Sequence, residues 1–316
     1  MSDPAPFAEI WRGDFLESVH SGHAVICAAD GQVVESWGDA DAMMLPRSSS
    51  KMIQALPLIQ SGAAAAAGLG AEHLALACAS HQGAAIHTDR VKVWLEARGL
   101  EDDALRCGPQ TPADKPARES LIRASKAPCQ CHNNCSGKHA GFLTLSQHLG
   151  AGPEYVEPDH PVQRACLEAF ERVTQETSPG YGIDGCSAPN YACTMTGMAR
   201  AMAHFAAAPD GSAEAQLHEA MRLHPDLVAG EGRACTELMR ATDGQVALKT
   251  GAEGYFIAIL PAQKMGIALK AACGSTRAAE CAIAALLVRL GVLDANHPAT
   301  LNRKNAPIEN WRGLRT

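Results

Sequence analysis

The sequence has few aromatic residues, no excess of basic charge and no long apolar segment. Phe, Trp and Tyr make up 4% of the 316 residues, and the formal net charge is −7 at pH 7. Because nucleic acids and anionic membranes favour a basic protein face, we expect neither as a partner. The hydrophobic fraction of 47% argues against disorder and is sufficient for one large domain or two modest ones.

The apolar segments are too short to anchor the chain in a membrane. The most apolar one, residues 63–79, is rich in alanine and is interrupted by Glu72 and His73. The first residues contain no basic stretch followed by an apolar one, so no signal peptide is expected. We therefore expect a cytoplasmic protein whose 12 cysteines stay reduced, as apolar core residues, metal ligands or catalytic groups.

Strand-like segments occur near both ends of the sequence, with helical patterns between them. The strand-like segments are residues 24–27, 33–37, 246–249, 255–259 and 265–269. Helical periodicity is found at residues 91–97, 162–174, 195–207, 213–223, 234–241 and 279–290. We predict an α+β fold in which both chain termini complete one antiparallel sheet with flanking helices. We expect a single domain over residues 1–316, with a helical lobe inserted at about residues 85–240.

Ser48 and Lys51 form a Ser-x-x-Lys sequence at the start of a predicted helix. Residues three apart share a helix face, so a neutral lysine there can take the proton of the serine hydroxyl. Ser49 and Ser50 lie between them, but only Ser48 has this spacing. Matches of four residues are frequent by chance, and a serine helix cap beside an exposed lysine is the simpler interpretation.

Two further segments carry candidate catalytic groups. Lys249-Thr250-Gly251, at the end of a predicted strand, is the sequence expected after an early Ser-x-x-Lys in one class of serine enzymes. Ser80 and His81 follow an apolar segment, although such residues are also ordinary in turns. No clear Ser-Asp-Asn counterpart is present, which argues against penicillin chemistry. The Ser-x-x-Lys sequence early in the chain and the Lys-Thr-Gly sequence late in the chain occur in the order expected of such enzymes. Together they favour catalysis over the simpler interpretation of each.

Three cysteines and two histidines lie within residues 129–139, a density that core packing does not explain. Cysteine and histidine are typical zinc ligands, so this density favours a metal site. Because the spacing is not that of a zinc finger, a further ligand must come from elsewhere. The glycine-rich loop with Asp184 and Cys186 is the best candidate, and spacing alone favours His139 as another ligand.

Six segments together resemble the Rhizobium-type (class 3) L-asparaginases. The most specific is Asn-Cys-Ser-Gly-Lys-His at residues 134–139, and the others are residues 47–51, 78–81, 182–186, 229–233 and 249–252. The resemblance covers about residues 20–290. It implies a serine β-lactamase-like or glutaminase-like fold, usually in a homodimer. It also implies a small-molecule substrate, L-asparagine, which is hydrolysed to L-aspartate and ammonia.

The resemblance implies two Ser–Lys pairs, Ser48 with Lys51 and Ser80 with Lys249. In the expected mechanism Ser48 attacks the side-chain amide carbon of asparagine, Lys51 takes its proton, and Ser80 passes a proton to the leaving ammonia. Backbone N–H groups of Ser48 and of the segment after Lys249 would hold the oxyanion, each contributing about 3 kcal/mol. The candidate substrate contacts are Arg47, His81 and Glu253.

The resemblance further implies a zinc ion held by Cys135, Lys138 and Cys186. A lysine ligand must be a neutral amine, so the metal would have to hold its pKa far down. His139 and Asp184 are expected next to these ligands, where they would orient them. The additional residues Cys129, Cys131 and His132 offer alternative ligands or a site of oxidation.

Two alternatives to asparagine hydrolysis stay open. The first is a serine hydrolase that acts on glutamine or another amide, which no sequence feature separates from an asparaginase. The second is a non-catalytic zinc-binding or redox-sensing protein that uses residues 129–139. The paired Ser–Lys sequences favour an enzyme over this second alternative.

Overall fold

The protein is represented by a computed structural model that describes residues 2–315. The strands are β1 (Ala5–Arg12), β2 (Phe15–Ala28), β3 (Val33–Trp37), β4 (Met43–Met44), β5 (Tyr181–Ile183), β6 (Pro189–Tyr191), β7 (Cys193–Thr194), β8 (Ala247–Thr250), β9 (Tyr255–Leu260) and β10 (Met265–Ala271). The α-helices are α1 (Lys51–Gln54), α2 (Leu56–Gln60), α3 (Ala63–Ala66), α4 (Ala71–Ala77), α5 (Ala85–Ala97), α6 (Lys115–Arg123), α7 (Ser136–His148), α8 (Pro161–Thr174), α9 (Met195–Ala206), α10 (Ala213–Leu223), α11 (Pro225–Val228), α12 (Ala234–Ala241), α13 (Thr276–Arg289) and α14 (Pro298–Lys304). Short 3-10 helices cover Arg47–Ser50, Asp102–Ala104 and Gln130–His132.

The main sheet belongs to one of two compact units, formed by the described residues up to Ser49, by Cys193–Ala207 and by the described residues from Glu237 onward. Its strand order is β1-β2-β10-β9-β8, β3 also pairs with β2, and the pairings are antiparallel. Ile267 of β10 lies opposite Ile26 of β2, so strands from the two ends of the chain are direct neighbours. The predicted α+β class, with an antiparallel sheet completed by both termini, is confirmed.

The sheet extends further toward the N-terminus than the sequence predicted. Only residues 24–27 of β2 were expected, and β1 was not expected at all. Residues 15–19 of β2 are all exposed, so no alternation of buried and exposed side chains marks them as a strand. β1 and β2 pair through a short turn at residues 13–14, which contains Gly13. Local strand pairing, and not burial of one face, therefore defines this part of the sheet.

Two long helices of the same unit cover the sheet. α9 packs against β2, β9 and β10, and α13 packs against β1, β9 and β10. Met198 and Met202 of α9 and Ile283 and Leu287 of α13 are fully buried, as expected for helices that cover a sheet. β8, the strand that carries Lys249, pairs with β9 of this covered sheet.

The second compact unit consists of residues Ser50–Ala192 and Ala208–Thr236 and is mainly helical. The sequence placed a helical lobe at about residues 85–240. α7 is its most buried long helix, with eleven of its thirteen residues buried, and it packs against α4, α5 and α8. β5 and β6 form a separate antiparallel hairpin. The ends of α4 and α7 hold most of the candidate site residues of this unit.

The twelve cysteines are all free thiols. Most are buried, as expected of apolar core residues, but Cys273 is exposed. It follows β10 directly and its sulfur lies 3.2 Å from His20 Nδ1, at the edge of the main sheet. Among the helices of residues 2–315, none combines the length and the apolar composition that crossing a bilayer requires.

Candidate active site

The three consecutive serines form a tight turn before helix α1. They lie in the 3-10 helix Arg47–Ser50, and Arg47 has a φ of +53°, in the left-handed region that few non-glycine residues adopt. Strained backbone of this kind is found preferentially at functional sites. Ser49 and Ser50 are buried, whereas Ser48 is partly exposed. Of the three hydroxyl groups, that of Ser48 is therefore the one most open to a small molecule.

The serine turn is attached to the strand that carries Lys249. Ser49 Oγ donates a hydrogen bond of 3.1 Å to the carbonyl oxygen of Lys249. A Cβ atom on Gly251 would lie 2.7 Å from the carbonyl oxygen of Pro46 and 2.9 Å from Ser49 Oγ. Only glycine permits this approach of strand and turn. The early serine sequence and the late Lys-Thr-Gly sequence are thus neighbours within one compact unit.

Hydrogen bonds near Lys249 limit which backbone N–H groups are available to hold an oxyanion. Lys249 is almost completely buried, and its Nζ donates to the carbonyl oxygen of Thr250 at 2.7 Å. The N–H group of Gly251 donates to the carbonyl oxygen of Tyr255 at 2.8 Å. Gly251 N–H is therefore engaged in the sheet, and the expected oxyanion donors after Lys249 have to be other backbone groups of this segment.

Lys51 joins a serine and a cysteine in the helical unit. Its Nζ lies 3.0 Å from Ser80 Oγ and 3.1 Å from Cys135 Sγ, and it also donates to the carbonyl oxygen of Ala79. The sequence resemblance paired Lys51 with Ser48, and Ser80 with Lys249. The contact to Ser80 adds a Ser–Lys pair that the resemblance did not include. Because Lys51 is fully buried, its amine is held firmly beside the hydroxyl group.

Ser80 and Cys135, which both contact Lys51 Nζ, lie at the ends of two closely packed helices, α4 and α7. Ser80 follows the end of α4, and Cys135 directly precedes the first residue of α7. A Cβ atom on Gly137 would lie 2.4 Å from the carbonyl oxygen of Leu76 on α4. Any larger residue at this position would push the two helices apart. The glycine of the Asn-Cys-Ser-Gly-Lys-His segment therefore allows the two helix ends to meet.

His81 is turned into the protein interior and takes part in a chain of hydrogen bonds. Its Nδ1 accepts the N–H group of Gly83 at 3.1 Å, its Nε2 lies 2.9 Å from Ser136 Oγ, and Ser136 donates to the carbonyl oxygen of Cys131 at 3.0 Å. This arrangement assigns the proton to Nε2. Burial, and after it the charge of the stacked His87, holds the pKa of His81 well below its ordinary value. His81 is thus a neutral donor to Ser136, and a role in substrate binding stays a prediction.

Cys135, Lys138 and Cys186 form a buried cluster within the helical unit. Lys138 Nζ lies 3.2 Å from Cys186 Sγ, and the two thiol groups interact with each other. The contact with the Cys135 thiol group and the charge of Lys138 hold the pKa of Cys186 below its ordinary value, in spite of burial. Burial favours the neutral amine of Lys138, but the sulfur charges of Cys186 and Cys135 raise its pKa. A bound metal would therefore have to lower the pKa of Lys138, because only a neutral amine can be a ligand.

Cys135 is oriented by the two asparagines that precede it, which the sequence analysis did not single out. The N–H group of Cys135 donates to Asn133 Oδ1 at 2.9 Å, and its thiol group donates to Asn134 Oδ1 at 2.9 Å. The signal was their position, since Asn side chains commonly bond to backbone groups two residues further on. The segment Asn-Asn-Cys therefore fixes both the backbone and the sulfur of Cys135.

His139 and Asp184 lie near this cluster, as expected. His139 is fully buried, burial lowers its pKa to about 4, and its Nδ1 lies 2.9 Å from the hydroxyl oxygen of Tyr155. Its Nε2 is buried without a hydrogen-bond partner among residues 2–315. The charge of Asp184 contributes to the raised pKa of Lys138. Tyr155 was not predicted, because nothing in its surrounding loop sequence distinguishes it.

This donor set fits a zinc ion. Two sulfur atoms and one nitrogen atom are the ligand types that zinc prefers, and a buried position limits competition from water. The unpartnered Nε2 of His139 is a further polar atom that a bound group could satisfy. Zinc would displace the protons now shared between the thiols and the amine. Whether the protein carries zinc stays a prediction.

Arg47 and Glu253 occupy the unit that contains the main sheet. Arg47 is half-buried in the serine turn, and Glu253 is exposed in the turn after β8, with a φ of +58°. The backbone carbonyl oxygen of Glu253 accepts a 2.6 Å hydrogen bond from Lys270 Nζ. Their expected contacts with substrate stay predictions.

These groups form the kind of site expected of a hydrolase of amide bonds. The chain belongs to the L-asparaginase II family, since residues 8–316 match the model of that family. This confirms the family resemblance seen in the sequence. Comparison with curated proteins gave no match.

Several solved structures are similar to this chain. The native form of a protein called Mglu is 15% identical over 87% of this chain and 66% of that chain, with a TM-score of 0.48. Its tris and glutamate form is 14% identical over 93% of this chain and 63% of that chain, with a TM-score of 0.49. A β-lactamase from Mycobacterium bovis is 13% identical over 86% of this chain and 95% of that chain, with a TM-score of 0.40. This chain thus spans slightly less than two thirds of the first two structures.

Proposed function

We propose that the protein hydrolyses the side-chain amide of L-asparagine to L-aspartate and ammonia. The observation that carries the proposal is the buried Lys51, whose Nζ lies 3.0 Å from Ser80 Oγ, in a chain of the L-asparaginase II family. A lysine amine held against a serine hydroxyl can exchange a proton with it, which amide hydrolysis requires twice. The partly exposed Ser48 at the strained Arg47 supplies the nucleophile.

The first half of the reaction forms an ester on Ser48. Ser48 Oγ attacks the amide carbon, its proton passes to the amine of Lys51, and the C–N bond breaks as ammonia leaves. Lys51 passes this proton through the hydroxyl group of Ser80, with which it forms a hydrogen bond, to the amide nitrogen, which leaves as ammonia. Lys249 serves as the second lysine of the proposal. Its place in β8 and the hydrogen bond from Ser49 to its carbonyl oxygen hold its backbone in a fixed position.

The second half reverses these roles. Water attacks the ester, gives its proton to the same amine, and releases L-aspartate with the hydroxyl group of Ser48 restored. Backbone N–H groups of the serine turn would hold the negative oxygen in both halves, with a contribution of about 3 kcal/mol for each donor. The reaction consumes one water and needs no oxidant or reductant.

Cys135, Lys138 and Cys186 would hold a zinc ion, as their donor set suggests. Zinc bound there would supply positive charge close to the Ser–Lys groups, because Cys135 Sγ lies 3.1 Å from Lys51 Nζ. This chain's own residues carry the proton transfers and the acyl group. The proposal also places the protein in the cytoplasm as a homodimer. Light scattering of the purified protein would test the homodimer.

Ammonia release by the full-length protein tests the function. We expect L-asparagine to be hydrolysed faster than L-glutamine, since one extra methylene in a fitted pocket typically changes kcat/KM by about 10-fold to 200-fold. Ser80→Ala should lower turnover at least about 100-fold. The matched control is Ser120→Ala, at an exposed position of α6. Absence of ammonia from both amides, or full turnover by Ser80→Ala, would contradict the proposal.

A further inference from the structure

A second group of metal-ligating side chains lies in the helical unit, with a different ligand set from Cys135, Lys138 and Cys186. One ligand atom each from Asp102, Cys129 and Cys131 lies within 4.8 Å of the other two. Cys131 is buried, and the other two residues are half-buried. Two sulfurs and one carboxylate oxygen at such distances can reach one ion after small side-chain rotations.

The backbone holds this cluster in place. The carboxylate of Asp102 accepts the N–H groups of Gln130 at 3.1 Å and of Cys131 at 2.7 Å. Gln130 Nε2 returns a bond of 2.9 Å to the carbonyl oxygen of Asp102. The 3-10 helices Asp102–Ala104 and Gln130–His132 are thereby joined without any metal. The carboxylate also forms hydrogen bonds with the thiol groups of Cys129 and Cys131, and a bound metal would displace these thiol protons.

We propose that Asp102, Cys129 and Cys131 bind a thiophilic divalent cation of the zinc class, at a site separate from the one expected at Cys135, Lys138 and Cys186. Two thiol groups with one carboxylate favour zinc over magnesium or calcium, which prefer oxygen ligands alone. Binding releases two thiol protons and leaves two sulfur–metal bonds. The bound cation fixes the turn that leads into Cys135 and helix α7.

His132 is not part of the ligand set, because neither ring nitrogen lies within 4.8 Å of the ligand atoms of all three residues. Its Nδ1 lies 3.1 Å from Cys129 Sγ, but it also accepts the N–H group of Cys129 at 3.1 Å. The lone pair of this nitrogen is thus already engaged. We assign the fourth position to solvent.

Metal stoichiometry of the full-length protein tests the proposal independently of activity. Metal-free protein is incubated with Zn²⁺ alone and separated from excess metal by gel filtration. Its zinc content per chain is then measured by inductively coupled plasma mass spectrometry. The double variant Cys129→Ser/Cys131→Ser should bind one equivalent less than the unchanged protein, and Cys281→Ser should lose none. Cys281 is also half-buried and is therefore a matched control. Equal zinc content in the double variant and the unchanged protein would overturn the proposal.

A second double variant separates this site from the one in the proposed function. Cys135→Ser/Cys186→Ser should retain the equivalent held by Asp102, Cys129 and Cys131, even if its asparaginase activity is lost. A protein that binds zinc only through Cys129 and Cys131 would support this inference and contradict the zinc site of the proposed function. Complete loss of zinc from Cys135→Ser/Cys186→Ser would support the zinc site of the proposed function and contradict this inference.

Alkylation of the unchanged protein covers the case in which a variant fails to fold. Iodoacetamide modification of Cys129 and Cys131, mapped by peptide mass spectrometry, should slow at least about tenfold when Zn²⁺ is present, because a metal-bound thiolate is a poor nucleophile. Modification of the half-buried Cys281 should not change. Equal rates at Cys129 and Cys131 with and without Zn²⁺ would overturn the proposal.

Discussion

Lys51 Nζ lies 3.0 Å from Ser80 Oγ, a contact between two residues that are 29 positions apart in the sequence. The same nitrogen lies 3.1 Å from Cys135 Sγ, one of the three predicted zinc ligands. One buried amine therefore links a candidate proton-transfer group with a candidate metal ligand. Substitutions at Lys51 should therefore affect both the turnover of L-asparagine and the binding of a metal ion at Cys135.

Replacing Lys51 by methionine should abolish most of the turnover. Lys51→Met keeps the length of the side chain but removes the amine that contacts Ser80, and we expect kcat for L-asparagine to fall at least about 100-fold. Lys115→Met is the control, because Lys115 is exposed at the start of α6. Far-UV circular dichroism of both variants would show whether the fold is kept. A folded Lys51→Met variant with unchanged kcat would remove Lys51 from the mechanism.

Ser48 and Ser49 should respond differently to replacement by alanine. Ser48→Ala should lose turnover with little loss of stability, because its partly exposed hydroxyl group is the proposed nucleophile. Ser49→Ala should lower the free energy of unfolding by about 1–2 kcal/mol, since it removes the buried bond to Lys249. Steady-state kinetics and urea denaturation of the two variants measure these effects. An inactive but fully stable Ser49→Ala variant beside an active Ser48→Ala variant would exchange the two roles.

Gly137 should tolerate no side chain, whereas Gly141 on the same helix should. The Cβ of Gly137→Ala would lie 2.4 Å from the carbonyl oxygen of Leu76, so we expect a loss of about 3 kcal/mol or more in unfolding free energy. At Gly141 the closest atom is Leu58 Cδ2 at 3.4 Å. Gly141→Ala should then be neutral, or more stable by up to about 1 kcal/mol through its helix propensity. Similar denaturation midpoints for both variants would show that α4 and α7 pack less closely.

His218 should make the protein less stable in weak acid. Burial, and after it the charge of Arg222, lower the pKa of His218 from 6.5 to about 4. Between these two values the unfolded chain binds a proton that the folded protein does not bind, so the free energy of unfolding falls as the pH falls. The contribution is fully present above pH 6.5 and reaches about 3 kcal/mol.

The variant His218→Gln isolates this effect. Urea denaturation between pH 7 and 4 should show a shallower loss of stability for the variant than for the unchanged protein. His204→Gln is the control, because His204 is an exposed histidine of α9. Parallel curves for His218→Gln and the unchanged protein would mean that His218 can be protonated in the folded state.

Local sequence patterns were sufficient to predict the fold class and to identify the Ser-x-x-Lys and Lys-Thr-Gly sequences as candidates for catalysis. The strand-like segment at residues 33–37 matches β3, and the Lys-Thr-Gly sequence lies beside the serine turn. β1 was missed because its neighbour β2 is exposed along residues 15–19 and shows no buried face. Periodicity reports burial, and this hairpin has little of it.

Contacts across long separations could not be predicted from the sequence. The pairing of Lys51 with Ser80 joins the start of α1 to the segment that follows α4, and spacing along the chain does not encode this contact. Asp102 joins Cys129 and Cys131 from 27 residues upstream, in a loop with no cysteine or histidine signal. Family motifs identified residue types, and only the packed structure shows which of them meet.

The most direct measurement of the central claim is detection of the ester on Ser48. The full-length protein would be mixed with L-asparagine, quenched in acid during turnover and digested for peptide mass spectrometry. The account predicts a mass increase of one aspartyl group on the peptide that contains Ser48, absent from Ser48→Ala protein treated in the same way. Turnover of L-asparagine without any such adduct, or with the adduct on another residue, would contradict it.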